Sequence, residues 1–458
     1  MNSIILSDSI PDIKHSQHKS SQDKSEKLDD FINRYLLPFG LFIQLTAVTW
    51  LGKKGGATTQ TYIWLILPAF LSALLKLRHF RFRYLEPGIL ECTFLLFVAW
   101  AALSWCWSDT ETELNDLLKR CLYVILYVYA IIQCARNWRG LEKLLLLSAV
   151  VVTSSAAVAL INHYLVLDYP LGYRSYRLFS MGLGKLGDFK HPVNAGIFYG
   201  AYAVILFTWL CTRANSRLAM TLATLGISIL SCYVTMTWSR GPIIALVVSF
   251  ILISVLVRNK TTNRALCTIA LMALFIGLTC SDLILSPTVL DPSLNHRTAI
   301  WQAALDAIRQ SPLVGYGFGH QQKINILIGG QPVAHAHSLP LQMILNYGVV
   351  GVSLLVVMAV SMLLTIKQFW NNPLARYALA LILFGGINMV TDVSSLINRP
   401  GKYWLVTWLP LALVVAARRT DPAGNIKIKG TSIGSFVGEP SGVIRKPSGV
   451  IREPSGTP

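Results

Sequence analysis

Residues 338–366 read SLPLQMILNYGVVGVSLLVVMAVSMLLTI and contain no charged side chain. A helix needs about 20 mostly apolar residues to cross the hydrocarbon core of a bilayer. This stretch exceeds that length, so as a helix it tilts or extends beyond the bilayer. Comparable apolar runs recur along the chain, at about 35–51, 61–77, 88–106, 117–135, 141–166, 193–212, 217–237, 241–257, 264–285, 375–395 and 403–417. Composition agrees: 53% of the 458 residues are hydrophobic and only 14% are charged, with a mean hydropathy of +0.52. Soluble domains carry about 25% charged residues. The expected fold class is therefore an all-α polytopic membrane protein with about twelve transmembrane helices, not two or three soluble domains.

The polar segments set the domain plan. Residues 1–33 are rich in Ser, Lys and Asp and read as a disordered N-terminal tail. They contain no early apolar run of the signal-peptide kind, so the first span is expected to direct insertion. Residues 34–418 form the transmembrane domain. It includes two long polar loops, 167–192 and 286–337. Residues 419–458 read as a disordered tail, because EPSGVIR and KPSGVIR repeat there with Pro and Gly in each copy, which forbids a continuous helix. The eight cysteines show no CxxC spacing and mostly fall inside apolar runs, which argues against a zinc site or a disulfide framework.

The net charge of +18 is first a question of topology. With the N-terminus in the cytoplasm, alternate loops carry Lys76, Arg78, Arg81 and Arg83; Arg136, Arg139 and Lys143; Arg213 and Arg217; Arg258, Lys260 and Arg264; Lys367 and Arg376; and finally Arg418 and Arg419. The loop before the fourth span is acidic, with Asp109, Glu111, Glu113 and Asp116. Positive-inside bias then puts both termini in the cytoplasm, and the charge needs no nucleic acid to account for it.

The same assignment isolates basic residues on the far side, where that bias cannot account for them: Lys119, Arg120, Arg177, Lys185, Lys190, His191, Arg240, Arg297, His337, Arg399 and Lys402. Several cations gathered on one face suit an anionic substrate, and arginine's planar fork suits a diphosphate. Arg240 stands in the short turn Trp238-Ser-Arg-Gly241 between two apolar spans, so it is expected to be buried and paired. Asp392 in the eleventh span is a candidate partner. Ile300, Trp301, Ala304, Leu305 and Ile308 recur at helical spacing after Arg297, which predicts an amphipathic helix on the outer surface. His337 opens the tenth span, followed by Ser338. A histidine at such a boundary serves as a general base near neutral pH or as a polar anchor. Gly348 and Gly351 are small residues that let a neighbouring helix approach. His335-x-His337 on a helix would diverge and has no carboxylate cluster beside it, so no metal site is expected.

Taken in order, these pieces resemble the bacterial O-antigen ligase family. The signature is His337-Ser338, nine residues, then Gly348-Val-Val-Gly351. Lys190-His-Pro-Val-Asn194 ahead of the sixth span, Trp238-Ser-Arg-Gly241, and Arg297-Thr-Ala-Ile-Trp301 through Pro312-Leu-Val-Gly-Tyr-Gly317 resemble the family's other motifs. The similarity covers roughly residues 115–410. It implies a membrane-embedded glycosyltransferase of the bacterial inner membrane, with its active site facing the periplasm. Such an enzyme transfers a glycan from undecaprenyl diphosphate to lipid A–core or a related acceptor, by inverting transfer without a metal or cofactor. By position the resemblance makes Arg240, Arg297 and His337 catalytic. Lys119, Arg120, Arg177, His191 and Arg399 are expected to bind the lipid-linked diphosphate, with Asp392, Ser338, Gly348 and Gly351 in support. A polymerase of the same superfamily is the nearest rival. A twelve-span transporter would show two related halves, and residues 35–212 and 217–417 show no such relation.

Overall fold

The computed structural model describes residues 23–52, 55–78, 88–137, 140–171, 175–257, 294–319, 327–328, 331–333, 335–391 and 395–420. The candidate span 264–285, Asp392 and the repeat tail lie outside them. Among the described residues ten helices are long and apolar enough to cross a membrane. They are α1 (Asp23–Trp50), α2 (Gly56–Leu77), α3 (Ile89–Trp107), α4 (Leu114–Asn137), α5 (Leu141–Val166), α6 (Pro192–Thr212), α7 (Arg217–Met236), α8 (Arg240–Val257), α10 (Leu339–Gln368) and α11 (Pro373–Thr391). Two further helices are α9 (Leu294–Gln310) and α12 (Trp408–Thr420). Among the described residues the only strands are the two-residue pair Leu327–Ile328 and Gln331–Pro332. The chain is thus an all-helical polytopic membrane protein.

Two boundaries differ from the sequence reading. Helix α1 already begins at Asp23, within the segment expected to be disordered, and Asp29 and Asn33 both accept from the Ser72 hydroxyl of α2. Polar residues that read as solvated tail are thus helix, tied to a neighbour by hydrogen bonds that no local pattern reveals. The last candidate span is a short 3₁₀ turn, Lys402–Leu405, with Trp404 and Leu405 buried, followed by α12, buried from Trp408 to Ala417.

Helix α6 is the axis. In its most apolar window 89% of residues are buried by protein, against 22% for α10. It packs on α5, α7, α8 and α11, whereas α10 packs on α3 and α11 and turns much of its apolar surface outward. Leu363, Leu364, Val356 and Val360 on α10 are all exposed, as expected of a helix whose solvent on that side is lipid. Close approach needs small residues: the Phe384 ring of α11 lies where a Cβ on Gly200 of α6 would be, 2.4 Å away.

Hydrogen bonds and ion pairs separate the two ends of the bundle. At one end Arg213 pairs with Glu142 at 3.1 Å, Arg419 with Glu91 at 3.2 Å and Lys76 with Asp29 at 3.5 Å. The basic residues there meet carboxylates from the ends of other helices. The opposite end gathers the starts of α4, α6, α8, α9 and α10, the loop 175–191 and the turn 395–405. Among the described residues, the motifs that contain His191, Arg240, Arg297 and His337 lie there.

A candidate active face built on three helix starts

Three helices at that end begin in the same way. A non-glycine residue adopts left-handed backbone, the next residue occupies the cap position, and the helix follows with an early proline. Lys190 (φ 62°) precedes His191 and α6, Trp238 (φ 50°) precedes Ser239 and α8, and His337 (φ 48°) precedes Ser338 and α10. Pro192, Pro242 and Pro340 fall within the first three residues of their helices, where no intrahelical donor is lost. A left-handed non-glycine residue costs about 1–3 kcal/mol and persists only where surrounding contacts hold it. The described non-glycine residues with positive φ are these three and Asp168. Each of the three thus falls inside a motif read from the sequence.

The contacts that hold His337 are explicit. Next to it, buried Ala336 donates its N–H to Gln342 Oε1 at 2.9 Å and accepts at its carbonyl from the Trp301 indole at 3.1 Å. Gln342 in turn donates to Asn346 Oδ1 at 2.9 Å. Trp301 belongs to α9, whose Ile300, Ala304 and Ala307 bury against Val333, Ala336 and Leu345. The amphipathic helix expected after Arg297 therefore exists, docked on the start of α10, with Leu305 left outside its buried face. Arg297 lies one turn before Trp301, on the same side of α9, and is partly buried. Helix α9 thus carries Arg297 and fixes His337 at once. His335 and His337 precede α10 instead of riding on it. Their rings are 4.1 Å apart, and the His337 N–H donates to His335 Nδ1 at 3.3 Å. The expected divergence does not occur, because the turn brings the rings together. Among the described residues no group of three or more His, Cys, Asp or Glu side chains is placed to hold a metal ion.

The glycine motifs interlock. Helix α10 breaks at Gly348 (φ 63°, ψ −169°). The segment 312–317 inserts there: Tyr316 and Gly317 donate their N–H groups to the Leu345 and Asn346 carbonyls at 2.8 Å each, and Val349 donates to the Pro312 carbonyl at 2.9 Å. A Cβ on Gly348 would lie 2.1 Å from the Leu313 carbonyl oxygen, and one on Gly315 would lie 2.7 Å from the Gly348 nitrogen. Gly348 is therefore needed for a backbone break, not for the helix approach expected from sequence. Gly351 meets that expectation, facing Trp100 of α3 at 3.1 Å.

The remaining cations form two groups. Asp116 accepts from Arg399 at 2.9 Å and from the Arg120 Nε at 2.9 Å, and the Arg120 guanidinium lies 5.8 Å from the centre of the Phe318 ring. Asp116, in the first turn of α4, is thus the partner that joins this helix to residue 399. Arg177 donates to the Thr237 carbonyl and to Ser239 Oγ, both at 3.0 Å. That bonding attaches the loop 175–191 to the turn before α8. Arg240, the first residue of α8, is exposed, contrary to the expected burial: the turn projects it from the helix start instead of enclosing it. Lys119 is exposed on α4, and His191 caps α6, its Nδ1 accepting from the Val193 N–H at 3.3 Å. Sequence reading took Asp116 only as an acidic-loop charge and Trp301 only as part of a helical pattern and a motif, and passed over Gln342. Gln342 and Asn346, polar and one turn apart in an otherwise apolar span, were the legible signal.

Fold and face together define a class: a polytopic helical membrane protein with one polar, cation-rich end built on three strained helix starts. Residues 223–356 match the family described as O-Antigen ligase. That range contains Arg240, Arg297, His337 and both glycines of the signature. The chain is also similar to an "O-antigen ligase" of Pseudomonas aeruginosa, 27% identical over 390 residues that cover 84% of this chain and 91% of that protein. Both findings bear out the resemblance and support placing this chain in the O-antigen ligase family.

Proposed function

We propose that this protein is an O-antigen ligase of the inner membrane. It transfers a glycan from undecaprenyl diphosphate to lipid A–core, or a related acceptor, on the periplasmic side, by inverting transfer without a metal. The observation that carries this reading is His337 held in left-handed backbone beside α9 by the Ala336 clamp. Such strain is retained where a side chain must be presented in one place.

In this mechanism an acceptor hydroxyl attacks the anomeric carbon and gives its proton to His337. The bond from that carbon to the diphosphate oxygen breaks, and the anomeric centre inverts. Arg240 and Arg297 stabilise the charge that grows on the departing diphosphate. Arg120, Arg177 and Arg399 hold the carrier at the same end, assisted by helix starts whose N–H groups favour anions.

A positioned general base contributes about 10²–10⁴-fold. His337→Ala should therefore cut glycan transfer from purified lipid-linked donor by that range while the protein still inserts and folds. Undiminished transfer would remove His337 from the mechanism. The lipopolysaccharide ladder separates this reading from a polymerase. Loss of a ligase leaves long glycan on the carrier lipid, whereas loss of a polymerase leaves single repeat units on the core.

A further inference from the structure

A cavity of about 450 Å³ opens at the polar end between the end of α1, the start of α2, the loop 175–191 and the turn 400–403. Cavities of about 300–1,000 Å³ are the size that takes small ligands. Among the described residues its wall includes Lys185, Lys190 and Lys402, with Asp188 the one carboxylate, and also Gln44 and Thr61. None of Arg177, Arg240, Arg297 or His337 lines it. Lys402 is held in place: its Nζ donates to the Phe189 carbonyl at 3.1 Å and lies 5.6 Å from the centre of the Phe189 ring. Tyr403 beside it donates to Asn194 of α6. Lys190 takes its left-handed backbone here, with its N–H on Asp188 Oδ1 at 2.8 Å. Among the described residues no carboxylate reaches ion-pair distance of Lys402.

We propose that this cavity is a second anion site, taking one phosphate ester whose neighbouring hydroxyls meet Gln44 and Thr61. Three ammonium groups against one carboxylate leave an excess of positive charge, and lysines bind a phosphate as point charges. Lys402 bears out the arrangement: burial, and then the Lys190 charge, push its amine down to about 8. A bound dianion would reverse that penalty. A phosphorylated carbohydrate and a phospholipid headgroup present the same chemistry of recognition.

The test uses the full chain in phosphatidylcholine nanodiscs. Lysines are acylated near pH 8, where a substantial fraction of Lys402 is neutral and nucleophilic, and the Lys402 peptide is quantified by mass spectrometry. With glucose 1-phosphate at about ten times its Kd, mass action leaves about a tenth of sites open, so labelling of Lys402 should fall about tenfold. Glucose alone should leave labelling unchanged. Protection in phosphatidylglycerol nanodiscs without any soluble probe would support the site and assign a lipid headgroup as its source. Labelling that ignores both phosphate probes overturns the proposal.

Should Lys402 prove unreactive throughout, calorimetric titration of glucose 1-phosphate decides. Lys190→Gln, at an exposed position, should weaken binding about two- to fivefold. Absent binding, or binding unchanged in that variant, overturns the proposal. Neither measurement needs turnover, so its failure leaves the transfer mechanism standing.

Discussion

One backbone angle separates His337 from an ordinary residue before a helix. At φ 48° its side chain leaves the start of α10 in a direction that regular extended backbone would not allow. Trp301 and Gln342 help maintain that angle through Ala336, and the His337 N–H adds its own bond to His335. Arg240 is exposed at the start of α8, so its charge alone cannot explain a specific role, and geometry must. Arg240→Lys keeps the charge and loses the planar fork that grips two phosphate oxygens. Transfer by that variant should fall at least about tenfold, the equivalent of about 1.4 kcal/mol of transition-state stabilisation. Wild-type transfer would reduce Arg240 to a generic cation at a helix start.

Among the elements, α9 and α10 work as one unit, because the segment 312–317 is stitched into the break at Gly348. A side chain at Gly348 meets left-handed backbone and the Leu313 carbonyl together. Gly348→Ala should therefore destabilise the protein by about 1–3 kcal/mol from backbone strain alone, read as a lower unfolding temperature in detergent. Gly386 of α11 supplies the contrast, since a Cβ there meets nothing within 4 Å. Gly386→Ala should be neutral or stabilising by up to about 1 kcal/mol. Equal stability of the two variants would refute the stitched unit. The periodic pattern of α9 was legible in sequence, but its docking was not. Apolar spacing reveals a face and does not name what covers it.

On the scale of the whole molecule, the two ends differ in chemistry. Carboxylates from helix ends answer the basic residues at one end. At the other, three helix starts, the Arg120–Asp116–Arg399 group and the lysine cavity share a polar surface. The proposed orientation puts that second end in the periplasm. Cys92, Cys106 and Cys232 are exposed, so accessibility is best read in a background without native cysteines. In intact cells a membrane-impermeant maleimide should label Leu183→Cys in the loop 175–191, and should label Asn215→Cys between α6 and α7 only after lysis. The reverse pattern would invert the topology.

Sequence by itself determined that the chain is helical and membrane-spanning, because a bilayer admits few solutions to backbone hydrogen bonding and requires long apolar runs. It also marked the residues around which the polar end is built, since charges that positive-inside bias leaves unexplained stand out against apolar spans. Only tertiary structure decided how those residues are held. The Asp116 bridge spans 283 positions of sequence and the Trp301 bond 35. The left-handed turns before α6, α8 and α10 survive through contacts made elsewhere. Local pattern records propensity, and propensity argues against a lysine, tryptophan or histidine at positive φ. The polar end exists because distant contacts outweigh that preference at three helix starts.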